Sequence, residues 1–283
     1  GTSVALAARD LEAITKGAAN DIHPPLYYFV LHFWIGLFGN SELAVRSLSA
    51  LTGTLLVLLT YALSRFAAAP SCSQDAANRV GLLAAFFTAL SPFQIYYSQE
   101  TRMYILSALF GALSMYVFVR ILAGWQSEAV CGNAHNSLSR RIPLILTYVT
   151  ATILLLYTHY FAASIVVVQN LVFLCWLVVS WRSTFRYPSS LLLHWVTLQT
   201  IVVAAYLPWV VLAAGQLRAW PAISEPIELT TLLIDLLRVF SLGVAVAPRP
   251  HFPLIGFAAL LLAGIVAPSF RPPGEAKAPD SQV

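Results

Sequence analysis

A carboxylate, an imidazole and a phenol lie close together near the start of the chain. Residues 20–30 have the sequence NDIHPPLYYFV, which contains Asp21, His23 and Tyr27. The two prolines fix the backbone and keep His23 out of the helical region, so we expect an extended strap just ahead of a helix. Such a strap can present Asp21 and His23 rigidly to a ligand. The alternative is an ordinary helix start, with Asp21 near the N-cap and tyrosines as interface anchors.

A second cluster combines an acid with an arginine between two apolar runs. Residues 96–104 have the sequence YYSQETRMY and hold Glu100, Arg102 and Tyr104. Charge at a membrane boundary is costly unless it is paired or used. The planar guanidinium of Arg102 suits an anionic phosphate, which it can hold through two hydrogen bonds. A local salt bridge or a helix-capping turn is the alternative.

Two further clusters are aromatic. In LLLYTHYFAAS, residues 154–164, His159 lies between two tyrosines, where it could also be a simply packed side chain. In AAYLPWVVLA, residues 204–213, Pro208 predicts a kink and Trp209 an interfacial anchor. Together the four clusters favour a ligand that is an amphiphile with an anionic head.

The composition places these clusters in a membrane protein. Of 283 residues, 59% are hydrophobic and 10% are charged, and the mean hydropathy is +0.76. Soluble domains are about half apolar and about a quarter charged. Because the apolar runs show no period of two, we predict an all-α, polytopic membrane bundle. The net charge of +4 does not imply a nucleic-acid partner, and no metal-ligand spacing is visible.

Seven apolar runs are long enough to cross a hydrocarbon core of about 30 Å. These predicted spans are residues 43–66, 80–97, 101–122, 142–158, 160–181, 190–214 and 251–269. Most arginines between residues 40 and 190 fall in alternate loops, which the positive-inside rule assigns to the cytoplasm. Glu100 and His159 then lie on the outer face.

The start of the chain is predicted to lie on the outer face without crossing the membrane. Residues 25–39 would reach only about 22 Å as a helix, so we interpret them as interfacial. If they spanned, His23 would lie opposite Glu100. Residues 2–18 and 229–242 have the pattern of further surface helices. The predicted regions are juxtamembrane helices (1–39), a bundle (40–214), an outer loop with an interfacial helix (215–250), a transmembrane helix (251–270) and a disordered tail (271–283).

The clusters resemble those of a known group of enzymes. The segments DIHPPLYYFVLHFWIGLFGNSELAVRSLSALTG, SPFQIYYSQETRMYILSALFG, and LYTHYFA followed by YLPWV are similar to GT-C glycosyltransferases of the protein O-mannosyltransferase and aminoarabinose transferase type. The similarity covers about residues 1–209. It implies a plasma-membrane enzyme without metal or cofactor. Such an enzyme takes a sugar from a polyprenyl-phosphate donor and transfers it, with inversion, to an acceptor outside the cytoplasm.

The resemblance also implies roles for individual residues. Glu100 matches the second acidic position of the family, and Asp21 is the fallback base. The expected donor-binding residues are His23, Arg102, Tyr27, Tyr104 and His159. The first acidic residue of the family would fall before Gly1, so we expect a piece of a longer protein that is inactive as given.

Two other classes of function stay open. A transporter or flippase for a lipid or small solute would also need charges and a kinked helix, although we find no inverted repeat and the clusters avoid the midplane. In a structural or assembly subunit, the clusters would only cap and anchor helices.

Overall fold

A computed structural model of the chain describes residues 2–21, 23–131, 138–183, 189–215 and 228–242, with residues 256, 258, 259 and 262. Within these residues the chain forms eleven α-helices and no strand, which confirms the predicted all-α class. The helices are α1 (Thr2–Ala7), α2 (Leu11–Ala19), α3 (Leu26–Phe38), α4 (Glu42–Ala68), α5 (Gln74–Leu90), α6 (Pro92–Gln99), α7 (Tyr104–Cys131), α8 (Leu138–Thr158), α9 (Ala163–Ser183), α10 (Ser189–Leu212) and α11 (Leu229–Leu242).

Five uninterrupted helical segments in the described part are long and apolar enough to cross a membrane. They are Glu42–Ser71, Tyr104–Gln126, Arg141–Thr158, Tyr160–Val179 and Leu191–Leu212, each overlapping a predicted span. The protein is therefore an integral membrane protein built as a helical bundle.

The second predicted span, residues 80–97, is not one straight helix. Helix α5 ends at Leu90, α6 begins at Pro92, and the two helices are bent by 58°. Proline lacks the amide hydrogen that would continue the helix, and its ring clashes with the carbonyl four residues earlier. The predicted span is therefore a bent pair of helices, which is either a broken span or a re-entrant loop. The predicted span 251–269, except for four residues, and the tail 271–283 lie outside the described residues.

The predicted surface helix at residues 2–18 is also two helices, α1 and α2. Between them Asp10 has an extended backbone, and its Oδ1 accepts a hydrogen bond from the Ala13 amide at 2.7 Å. Asp10 is thus the N-cap of a new helix. Ala7 at the end of α1 and Ile14 in α2 are fully buried, so both helices pack on the protein.

Helix α3 is short and is followed by a corner at Gly39. Its 13 residues extend about 20 Å, less than the hydrocarbon core. Gly39 ends it with a φ of 83°, a conformation that side chains disfavour. Ser41 then caps α4, its Oγ accepting from the Ala44 amide at 3.2 Å.

The N-terminal helices pack against one end of the bundle. Ile14, Tyr27 and Leu31 from α2 and α3 share a core with Leu48 of α4 and Trp209 of α10. We call this end of the bundle, where α4 and α7 begin and α8 ends, the site end. The strap between α2 and α3 is thereby placed beside the helix ends.

A second core joins α7, α8, α9 and α10. Phe118, Tyr148, Phe173 and Trp195 pack together, with the rings of Phe173 and Trp195 stacked at 4.8 Å. Next to these rings runs a hydrogen-bonded set of side chains, which we call the polar network. Its members are Ser114, Tyr148, Thr152, Gln169, Asn170, Trp195 and Gln199.

Gln169 is the centre of the polar network. Its Nε2 donates to Ser114 Oγ at 2.9 Å, and its Oε1 accepts from the Tyr148 hydroxyl at 3.0 Å. The Tyr148 hydroxyl also accepts from Gln199 Nε2 at 2.9 Å. Gln169, Ser114 and Tyr148 are fully buried. Polar side chains so paired hold transmembrane helices together.

Helix α11 belongs to a separate compact unit formed by residues 91–93 and 225–283. The helix predicted at residues 229–242 is confirmed. Within it, Arg238 Nη1 donates to Asp235 Oδ1 at 2.8 Å. The candidate site described below lies entirely in the other unit, residues 1–90 and 94–224.

Candidate functional site

The strap holds a carboxylate against a buried imidazole. His23 is 8% exposed, and its Nδ1 lies 3.5 Å from Asp21 Oδ2. The same carboxylate oxygen accepts from the Tyr28 hydroxyl at 3.1 Å. Pro25 occupies the N-cap position of α3, without a side-chain capping bond. Asp21 therefore orients His23 instead of capping the helix.

Aromatic rings from distant parts of the chain meet His23. The ring centroids of His23 and His159 are 5.6 Å apart in an edge-to-face arrangement. His159 is also 5.6 Å from Tyr104, whose ring lies 4.8 Å from that of Tyr97. Three of the four sequence clusters are thus in contact at the site end.

The fourth cluster joins them through a tryptophan. Helix α10 continues through Pro208, and Trp209 Nε1 donates to the Tyr160 hydroxyl at 3.2 Å. Tyr160 follows His159 in the short turn between α8 and α9. The end of α10 therefore supports the turn that carries His159.

Both histidines are electrically neutral in the free site at pH 7. Burial lowers the pKa of the His23 imidazole below its ordinary value of 6.5; the Asp21 carboxylate opposes this, and the Arg102 guanidinium adds to it. Burial also lowers the pKa of His159, and the neighbouring His23 lowers it further. The effect of Arg102 on His23 also shows that the strap and the α6–α7 loop are electrostatic neighbours.

A polar cavity of about 470 Å³ opens at the α6–α7 loop, and one of its lining residues, Arg102, acts electrostatically on His23. Its lining comes from α1, the start of α4 and the α6–α7 loop, and consists of Thr2, Ser3, Val4, Asn40, Glu42, Val45, Arg46, Gln99, Glu100, Thr101 and Arg102. In the part of the chain that the structure describes, Glu100 and Arg102 form no salt bridge with each other. Both residues line the cavity with opposite charges.

A serine hydroxyl holds the backbone of the α6–α7 loop at Glu100. Ser49 of α4 donates to the backbone carbonyl of Glu100 at 2.7 Å. The hydroxyl of Tyr27, which is only 1% exposed, interacts with Ser49, although no hydrogen bond of good geometry joins it to a described residue. Burial raises the pKa of this phenol, which remains protonated.

The structure brings all seven predicted site residues to the site end. The rings of His23, Tyr104 and His159 are in contact, and Asp21 lies against His23. Glu100 and Arg102 line the cavity, and Tyr27 lies near the Glu100 loop. His23 thus lies at the same end of the bundle as Glu100, in agreement with a helix α3 that does not span.

The sequence interpretation missed the opposite wall of the cavity. Glu42 and Arg46 line it, and Arg46 Nη2 lies 2.7 Å from Glu42 Oε1. Charges at the start of a predicted span were the available signal, since they are costly at a membrane boundary. Thr2 and Ser3 gave no such signal.

Comparison with known proteins finds no matching family model, no matching curated protein and no matching solved structure. Among the described residues, no group of three or more histidine, cysteine or acidic side chains could hold a metal ion. The arrangement at the site end is therefore the basis for a functional proposal.

Proposed function

We propose that the protein is a membrane glycosyltransferase that uses a polyprenyl-phosphate sugar as donor. The sugar is transferred, with inversion, to an acceptor on the extracytoplasmic side of the plasma membrane. The observation that carries this proposal is the cavity lined by both Glu100 and Arg102, which form no salt bridge with each other among the described residues, together with the His23–His159 ring contact at the same end of the bundle.

The charges suit transfer from a phosphate donor. Such a reaction needs a base or orienting group for the acceptor hydroxyl and cations for the leaving phosphate. The Glu100 carboxylate takes the first role, and the Arg102 guanidinium takes the second. Asp21 is bonded to Tyr28 and faces His23, so it serves as the orienting partner of the imidazole and not as the base.

Helix α3 suits a donor that arrives from the membrane. Its exposed apolar side chains include Phe33, Leu37 and Phe38. A short helix with such a surface lies in the interface between lipid and water. A lipid whose tail stays in the bilayer can then place its phosphate at the level of His23.

The test is a transfer assay with the full-length protein reconstituted in liposomes. Radiolabelled polyprenyl-phosphate sugars are the donors, and release of polyprenyl phosphate is measured. We expect release by the wild type and by Glu12→Gln, a matched change on the exposed surface of α2, and none by Glu100→Gln. No release from any donor by folded protein would overturn the proposal. Transbilayer movement of intact donor without cleavage would instead favour a flippase.

A further inference from the structure

Building on the proposed donor site, we propose that a phosphate ligand binds together with one proton, which His23 carries while His159 stays neutral and donates through its Nε2. The site then gains a cation at His23, besides Arg102 and the Glu42-paired Arg46, only when the phosphate is present. The ligand class is a phosphate ester with an apolar tail.

The hydrogen bond of His159 decides which ring takes the proton. Its Nδ1 accepts from the Phe161 amide at 3.2 Å, as the cap of the 3-10 turn Tyr160–Ala162. A nitrogen that accepts has no hydrogen, so the neutral ring carries its hydrogen on Nε2. A proton added to Nδ1 would face the Phe161 amide hydrogen and break the cap. His159 is therefore held as a neutral donor.

The surroundings of His23 favour a proton there once an anion arrives. Its Nδ1 faces the Asp21 carboxylate, which the Tyr28 hydroxyl holds in place. The titratable and charged groups around the histidine pair are Asp21 on the strap, Tyr28 on α3, Arg102 before α7, Tyr104 on α7 and Tyr160 after α8. In the free site, burial and Arg102 outweigh Asp21, and His23 is neutral.

A bound phosphate reverses that balance. Its negative charge offsets Arg102 and adds to the attraction of Asp21, so the pKa of His23 rises on binding. Between the low value in the free site and the raised value in the complex, binding takes up a proton. By linkage, affinity then falls as pH rises through this window, by at most about tenfold per pH unit.

The test measures proton uptake directly and does not depend on transfer. The probe is citronellyl methyl phosphate, a phosphodiester with a prenyl-type tail and no sugar. A monoester is avoided because its own second ionisation lies near pH 6. Titration calorimetry of the full-length protein, in buffers of different ionisation enthalpy, gives the Kd and the number of protons bound between pH 5.5 and 8.5.

We expect the wild type to take up a proton with the probe and to bind it more weakly as pH rises. His23→Gln should bind without proton uptake and with a Kd independent of pH, whereas His159→Gln should keep the uptake. His194→Gln, a matched change at an exposed position of α10, should match the wild type. Should His23→Gln fail to fold, Asp21→Asn provides a second test, because it should move the uptake to lower pH.

Three results would overturn the proposal: no binding of the probe by folded wild type, binding without proton uptake, or uptake that survives in His23→Gln. A different result would show that the proposed function fails while the phosphate site stands. Proton-linked binding of the probe, combined with no transfer from any donor, would remove the enzyme and leave the phosphate site.

Discussion

The imidazole rings of His23 and His159 meet edge to face at 5.6 Å, although one precedes α3 and the other follows α8. Their contact ties the strap to the α8–α9 turn, and Tyr104 adds the start of α7. The chemical groups of the candidate site therefore depend on the docking of α3 onto the bundle, because local sequence alone does not bring them together.

Glu100→Gln should abolish transfer and leave the fold intact. Ser49 holds the backbone carbonyl of Glu100, so the loop does not depend on the carboxylate. Loss of a general base lowers the rate by about 10²- to 10⁴-fold. Single-turnover transfer and a thermal melt of the same preparation measure both effects. Turnover at the wild-type rate would remove Glu100 from the site.

Arg102→Ala should lower kcat/KM for the donor by at least about tenfold, because the phosphate loses at least one charge-assisted hydrogen bond. Arg102→Lys should recover only part of the loss, because an ammonium cannot form the two parallel bonds of a guanidinium. Steady-state kinetics with varied donor distinguish the variants, and Arg79→Ala on α5 is the matched control. Equal kinetics of all three variants would contradict a phosphate contact.

Tyr27→Phe should make the protein more stable and the donor site weaker. The ring packing is kept, while a buried hydroxyl without a hydrogen bond of good geometry to a described residue is removed. Leaving such a group unsatisfied costs about 1–3 kcal/mol, so the free energy of unfolding of Tyr27→Phe should be about 1 kcal/mol higher than that of the wild type. Thermal unfolding and the donor KM are measured together. A less stable variant would show that the hydroxyl already has a partner in the free protein.

Gln169→Leu should loosen the association of α7, α8 and α9. Ser114 and Tyr148 each lose one hydrogen bond within the apolar interior. Bonds of this kind contribute about 0.6 kcal/mol on average in membrane proteins, with larger values near 1.7. We expect the free energy of unfolding, measured in lipid, to fall by about 1 kcal/mol. Thr200→Val, at an exposed position of α10, should have a smaller effect; equal losses would count against the polar network.

The site end should face away from the cytoplasm. With Cys131→Ser and Cys175→Ser as background, a membrane-impermeant maleimide added to intact cells should label Asn40→Cys in a chain that also carries Cys72→Ser. The native Cys72, tested alone, should react only after permeabilisation. The reverse pattern would place the cavity in the cytoplasm and exclude the proposed sidedness.

Most of the bundle follows from the length of its apolar runs, because lipid requires the backbone to be satisfied within each segment. Hydropathy alone does not reveal breaks in hydrogen bonding. Pro92 stopped a helix within a predicted span, and Asp10 capped a new helix within a periodic segment. Both residues were visible in the sequence as a helix breaker and an N-cap.

The site could be predicted only in part. Alternate placement of basic residues brought Glu100 and His159 to one face, but the contact of His159 with His23 depends on tertiary packing. The Glu42–Arg46 pair resembles an ordinary surface pair of a helix, so the cavity wall was not expected. The partners of Gln169 depend on how each helix is rotated about its axis, which hydropathy does not specify.

The polar network also determines which parts of the molecule can move. Rotating one of α7–α10 against the others would break several hydrogen bonds at once in a medium without water to replace them, so these four helices behave as a single rigid frame. Helix α3 is attached to α4 through the corner at Gly39 and packs mainly through apolar side chains. Displacement of α3 would carry His23 away from His159. Entry of a ligand and dismantling of the site's electrostatics would then be one and the same movement.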